Sequence, residues 1–336
     1  MRLFAQTAKI LSATLVLVSL CFAAQLRQLS MIELPGNAGF GDVAVANGYI
    51  VISHDGDNSL DVFDPQKRRL VTQVHGMHDP QGIAVDDAAG KVYVANRADY
   101  TIAVVSSKDW KLADTIKLKD SPNALLLAPG GKNLFVANQH AQAVSLIDLG
   151  QGNQITAVNV GGSPNDMVFD PARKLALVTL EDTHEVIALD PSLHIVARYP
   201  LVASMPTGIA LDAQGRRIFV AVRDAVLELD ADTGKEIKRV AAPAGVNSLW
   251  FDPAGGVLYT AGGGSVMRIK AAGGNFSTEH ELLTKVRGHS LAYDAGRKMV
   301  FIPGGQEGHS KLLIVRSIDA APAAPVQAPR AESLLR

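Results

Sequence analysis

The chain has 336 residues, of which 32 are Lys or Arg and 33 Asp or Glu, giving a net charge of −1 at pH 7. That balance lacks the basic excess that gives nonspecific affinity for nucleic acid, and argues against a nucleic-acid partner. With 47% hydrophobic residues, 30 Gly and 16 Pro, the composition suits a globular domain of many short strands and tight turns, and excludes a disordered chain.

Arg2 and Lys9 precede an apolar run, Ile10–Phe22, and the small residues Ala23 and Ala24 follow it. A positive start, an apolar core too short to span a bilayer comfortably and a small-residue cleavage site predict an export signal over residues 1–24. Cys21, the one cysteine, lies inside this leader, and Leu20 stands where a lipidation motif wants a small residue. The mature chain is therefore expected to have no disulfide and no thiolate ligand. It is more acidic than the full chain through loss of Arg2 and Lys9, has no further membrane span, and is expected as a monomer in the periplasm or the medium.

From Phe40 onward the sequence repeats itself. Phe40, Pro80, Pro122, Pro164, Pro206, Val246 and Gly288 each precede one or two small or polar residues, an apolar run and a turn, at a spacing of about forty residues. The runs include Val43-Ala44-Val45, Ile83-Ala84-Val85, Met167-Val168-Phe169 and Leu249-Trp250-Phe251. One unit reads as strands over Gly82–Asp86, Lys91–Asn96, Thr101–Ser106 and Lys111–Leu118. Four short antiparallel strands per repeat make one propeller blade, and seven repeats predict an all-β, seven-bladed β-propeller over residues 26–318.

Asp86, Asp170, Asp212, Asp252 and Asp294 follow the inner strands. They could pass for a row of catalytic carboxylates, but Asp opening a β-turn is the simpler reading. Lys67-Arg68-Arg69 and Arg216-Arg217 fall at hairpin turns and read as solvated charge. The seventh repeat lacks an outer strand, whereas Leu26–Leu34 precedes the first repeat and has no blade. The N-terminal strand is therefore expected to complete the last blade and close the ring. After Ile318 the Ala/Pro-rich segment 319–336 has no strand pattern and is expected to be disordered.

Val92-Tyr93-Val94-Ala95-Asn96 followed by Ile102-Ala103-Val104-Val105, and Phe135-Val136-Ala137-Asn138 followed by Val144-Ser145-Leu146-Ile147-Asp148, resemble the YVTN-type seven-bladed propeller family of exported and surface proteins. The resemblance implies the fold and leaves activity open, because such propellers include binding proteins and several enzyme types.

In this fold the loops entering the inner strands and the loops between second and third strands share one face, around the mouth of the central channel. Seven histidines fall on those loops: His54, His75, His78, His140, His184, His289 and His309. The residues one past each anchor should ring the mouth (Gly41, Gln81, Asn123, Asn165, Thr207, Asn247, His289). Below them come Asp42, Gly82, Ala124, Asp166, Gly208, Ser248 and Ser290. Asp42, His54, His78, Gln81, Asn123, Asn165, Asp166, Asn247 and His289 are thus the candidate ligand-binding set. Among them His54, His78, Asp166 and His289 could hold a divalent cation; no other cofactor is implied. Equally, Asn, Asp and Ser serve at such loops simply to satisfy backbone groups.

Three functions fit. The first is a noncatalytic binding propeller for a protein, an envelope polymer or a small ligand. The second is a metal-dependent hydrolase such as a lactonase, with metal-activated water. Against it, Arg287-Gly288-His289 only partly matches the sugar-lactonase pattern, and Gly41-Asp42 stands where calcium-dependent lactonases use Glu. The third is a DNA-binding propeller, which the acidic mature charge disfavours.

Overall fold

The structure, a computed structural model, describes residues 23–320. The export leader predicted over 1–24 and the tail predicted over 319–336 lie outside the described residues, apart from their innermost two residues each. No described helix is long and apolar enough to cross a membrane.

The described residues form seven four-stranded antiparallel sheets. In blade one the strands are, from the axis outward, Val43–Ala46, Tyr49–His54, Ser59–Asp64 and Arg69–His75. Blade two uses Pro80–Asp86, Lys91–Asn96, Thr101–Ser106 and Lys111–Lys117. Blades three to six repeat that order, with inner strands Ala124–Leu127, Pro164–Asp170, Ile209–Asp212 and Val246–Asp252. Second and third strands are apolar almost throughout because neighbouring blades cover both their faces; outer strands such as Lys111–Lys117 face water and are polar. In blades one to six a bulge breaks the register between third and outer strands, for example at Val104/Val105 and Leu146/Ile147. Such a bulge adds local twist to each sheet.

There is no single core. Each of seven hydrophobic clusters lies in the seam between two adjacent blades. Tyr93, Ile102 and Val104 of blade two meet Leu134, Val136 and Ile147 of blade three in one of them. Every blade is thus buried only by its neighbours, and an open ring would leave one seam broken and two blade faces wet.

The ring is closed as the sequence predicts. Gln25–Asn37 pairs antiparallel with His309–Ile318, joining Met299–Gln306 and Ala292–Asp294 as the outer strand of blade seven. Leu34 carries the closure into the seam with blade one, where it meets Phe40, Ile52 and Leu312.

The repeated aspartates are turn formers: Asp86, Asp170, Asp212, Asp252 and Asp294 each accept a backbone N–H two or three residues on. The basic pair at 216–217, by contrast, is not solvated. Arg216 reaches back to Asp170 of blade four at 2.9 and 3.0 Å. Arg217 binds Asp212 and Glu228 and donates to the Ala271 carbonyl of blade six at 2.6 Å. Asp170 is fully buried, which by itself would raise its pKa, yet Arg216 and Arg173 hold it down to about 2. Just past the last strand, Asp319 pairs with Arg268 at 3.0 Å and with Lys298.

Leu34→Ala is expected to cost about 2–5 kcal/mol in urea unfolding, because it empties the closing seam. Val71→Ala on an exposed outer strand should stay within about 0.5 kcal/mol.

Candidate functional site

At the axis, blades touch through backbone. Gly82 donates to the Asn123 carbonyl of the next blade, and Gly208 to that of Asn247, both at 2.8 Å. A Cβ on Gly82 would stand 2.6 Å from Asn123 O, and one on Gly208 2.1 Å from Asn247 O. Glycine is needed there for proximity.

Aspartate bridges the blade boundaries just before those glycines. Asp42 accepts from its neighbour Val43 N at 2.8 Å and from Ile83 N of blade two at 3.2 Å. Asp166 accepts from Met167 N at 2.7 Å and from Ile209 N of blade five at 3.1 Å. The sequence order Asp42, Gly82, Ala124 is echoed three blades on by Asp166, Gly208, Ser248. The two carboxylates therefore stand on opposite sides of the axis, at the same depth.

Above them opens a cavity of ≈ 240 Å³ lined by Asp42, Gln81, Asn123, Gln139, Asn165, Asp166, Asn247, Ser248, His289 and Ser290 with intervening Gly and Ala. Of the predicted set, Asp42, Gln81, Asn123, Asn165, Asp166, Asn247 and His289 come together here. Gln81 donates to Asp79, and Glu181 accepts from Asn165 and Gln139. Asn123 and Asn247 have their carbonyls held by the glycines, while their side-chain amides make no hydrogen bond among the described residues and stay free for a ligand. Thr207, expected in the upper ring, instead turns its hydroxyl to the carbonyls of Val246 and Asn247.

His54 and His78 do not join the cavity. His54 is completely buried, stacked on Phe40 with ring centroids 4.4 Å apart. Its Nδ1 lies 2.9 Å from Asp61 and its Nε2 2.8 Å from the Asn37 carbonyl. Both ring nitrogens are thus engaged, and the residue fastens blade one to the closing strand. Burial disfavours the imidazolium, but Asp61 outweighs it and the pKa is raised. His78 is exposed and paired with Asp99. The four-residue cation set His54, His78, Asp166 and His289 consequently does not converge, and no group of three or more His, Cys, Asp or Glu suited to a metal occurs among the described residues.

Sequence reasoning missed Gln139, although it follows Asn138 directly on a loop of the correct face. Glu181, which positions two amides, gave no signal beyond its place on such a loop.

Electrostatically the floor favours neutral groups. Asp42 and Asp166 are half-buried, open only to the narrow channel. Burial pushes Asp42 up to about 7, with the Asp166 charge adding to the shift and the Val43 and Ile83 N–H groups opposing it. Asp166 is pushed by burial up to about 6, against the N–H groups of Ile209 and Met167. His289 is exposed at the mouth, and partial burial of its ring lowers its pKa against the opposing charge of Asp55, which favours the neutral imidazole.

No protein-family model matches the chain, and no curated protein does. Among solved structures it is similar to a chain of Kuenenia stuttgartiensis hydrazine synthase, with 16% identity and a TM-score of 0.74 over 86% of this chain and 97% of that one. A likeness at that identity speaks for the seven-bladed fold alone.

Asp42 and Asp166 titrate higher folded than unfolded. The unfolded chain ionises them near pH 4, the folded chain only near 6 to 7. Their contribution to stability is therefore lost as pH rises from about 4 to about 7 and stays lost above. The stability of Asp42→Asn relative to wild type, measured by urea unfolding across that range, should move in favour of the variant as pH rises. A difference that does not change with pH counts against the shift.

Proposed function

We propose that the protein is an exported propeller that binds a small, neutral, polar molecule in the cavity at the channel mouth. The observation that carries this reading is the pairing of two unengaged amides, Asn123 and Asn247, with a neutral imidazole above carboxyls that resist ionisation. Such a wall offers donors and acceptors in mixed array, with charge confined to the carboxyls at its floor, which suits hydroxyl or amide groups of a ligand. The leader-like residues 1–24 support export to the periplasm or medium, and the YVTN-like strands support kinship with exported propellers.

The test is a thermal-shift screen of sugars, polyols and small amides on the protein purified from the exported fraction. At least one compound should raise Tm, and the Asn123→Ala/Asn247→Ala double variant should lose that shift while keeping its own Tm. A cytoplasmic, full-length protein, or a ligand whose shift survives in the double variant, would contradict the reading.

A further inference from the structure

Below the carboxylates the channel changes character. A second cavity of ≈ 320 Å³ shares Asp42, Asp166 and Ser248 with the upper one, but its other walls are apolar, among them Leu125, Met167, Leu249 and Trp250. No basic side chain lines it.

Trp250 breaks the repeat. It pairs across the sheet with Tyr259. At the same register the other inner strands carry Ala44, Ala84, Leu126, Val168, Ala210 and Ala292, opposite residues such as Tyr93, Phe135, Phe219 and Phe301. Those inner-strand residues pack into the seams between blades, as Ala84, Ala210 and Ala292 do. Trp250 is instead 46% exposed, an indole left open inside a concavity. At the neck, Ser290 is only 5% exposed, lines the cavity above the same carboxylates, and has a hydroxyl with no hydrogen-bond partner among the described residues.

We propose that the lower half of the channel is a binding site for a small alkylated ammonium ion, its charge held beneath Asp42 and Asp166 and its alkyl groups against Trp250. An aromatic face and nearby carboxylates attract such a cation together, and a quaternary ammonium needs no hydrogen-bond acceptor. A metal ion fits less well. Each carboxylate oxygen already accepts a backbone N–H, and no third acidic or imidazole ligand converges among the described residues. Both carboxyls are also held above their usual range, so an approaching cation relieves the cost of ionising them. The site lies at the other end of the channel from the cavity assigned to a neutral ligand and does not depend on that assignment.

Calorimetric titration of the purified protein with choline and with 3,3-dimethylbutan-1-ol, its uncharged isostere, tests the proposal. Choline should bind saturably and at least about tenfold more tightly than the isostere. Trp250→Ala should weaken choline about tenfold or more, with Trp250→Phe recovering most of the loss. Because Trp250 is half exposed, its variants should keep the wild-type Tm. Asn123→Ala/Asn247→Ala should leave choline binding unchanged, which separates this site from the mouth. No saturable choline binding at millimolar concentration, equal affinity for the isostere, wild-type affinity in a folded Trp250→Ala variant, or binding of Ca²⁺ in place of choline would each overturn it.

Discussion

The structure depends on how closely adjacent inner strands approach at the axis. A propeller has no central core, so each blade is buried only by its neighbours, and the seams must meet at the narrow end without leaving backbone groups unpaired. Here two devices alternate. Gly82 and Gly208 let one backbone touch the next, and Asp42 and Asp166 reach across the preceding boundaries to N–H groups of the following blades. Farther out, Arg216 and Arg217 tie blade five to both its neighbours, and the strand at Gln25–Asn37 completes the circle.

This way of joining blades has a chemical consequence. Using a carboxylate as a stitch places an ionisable group in a narrow channel, where burial works against its charge. An apolar or amide residue would avoid that cost, but a carboxylate can accept two N–H groups at once, one on each side of the seam. The two aspartates that hold the blades together are also the floor of the upper cavity and the ceiling of the lower one. A ligand at either end meets groups whose position is set by the fold, so the site is preorganised and couples to stability. Departure from local design rules at one place, with support elsewhere, is common where a fold carries a function.

Much of this was legible in the sequence. The repeat spacing gave seven blades, and the orphan strand before the first repeat gave the closure, because both follow from counting units that cannot bury themselves alone. The ring at the mouth was legible because position within the repeat fixes position around the axis. The histidines misled for the same reason: shared loops imply a shared face, not a shared point. His54 sits at the end of a second strand, a shell outward, where Asp61 and Asn37 take both its nitrogens. The Arg216–Asp170 ion pair and the Arg217 bond to the Ala271 carbonyl were illegible because they join different blades, and charge at a turn looks solvated until the neighbour is placed. Trp250 was visible in the aligned runs as the one Trp among Ala, Val and Leu, but its exposure to the channel needed the structure.

Asp42 and Asp166 join the blades while facing the channel as carboxyls that resist ionisation. Following their carboxyl carbons by NMR across a pH titration tests this most directly. Midpoints near 7 for Asp42 and near 6 for Asp166 are predicted; midpoints for both near 4, the ordinary carboxylate range, would contradict it.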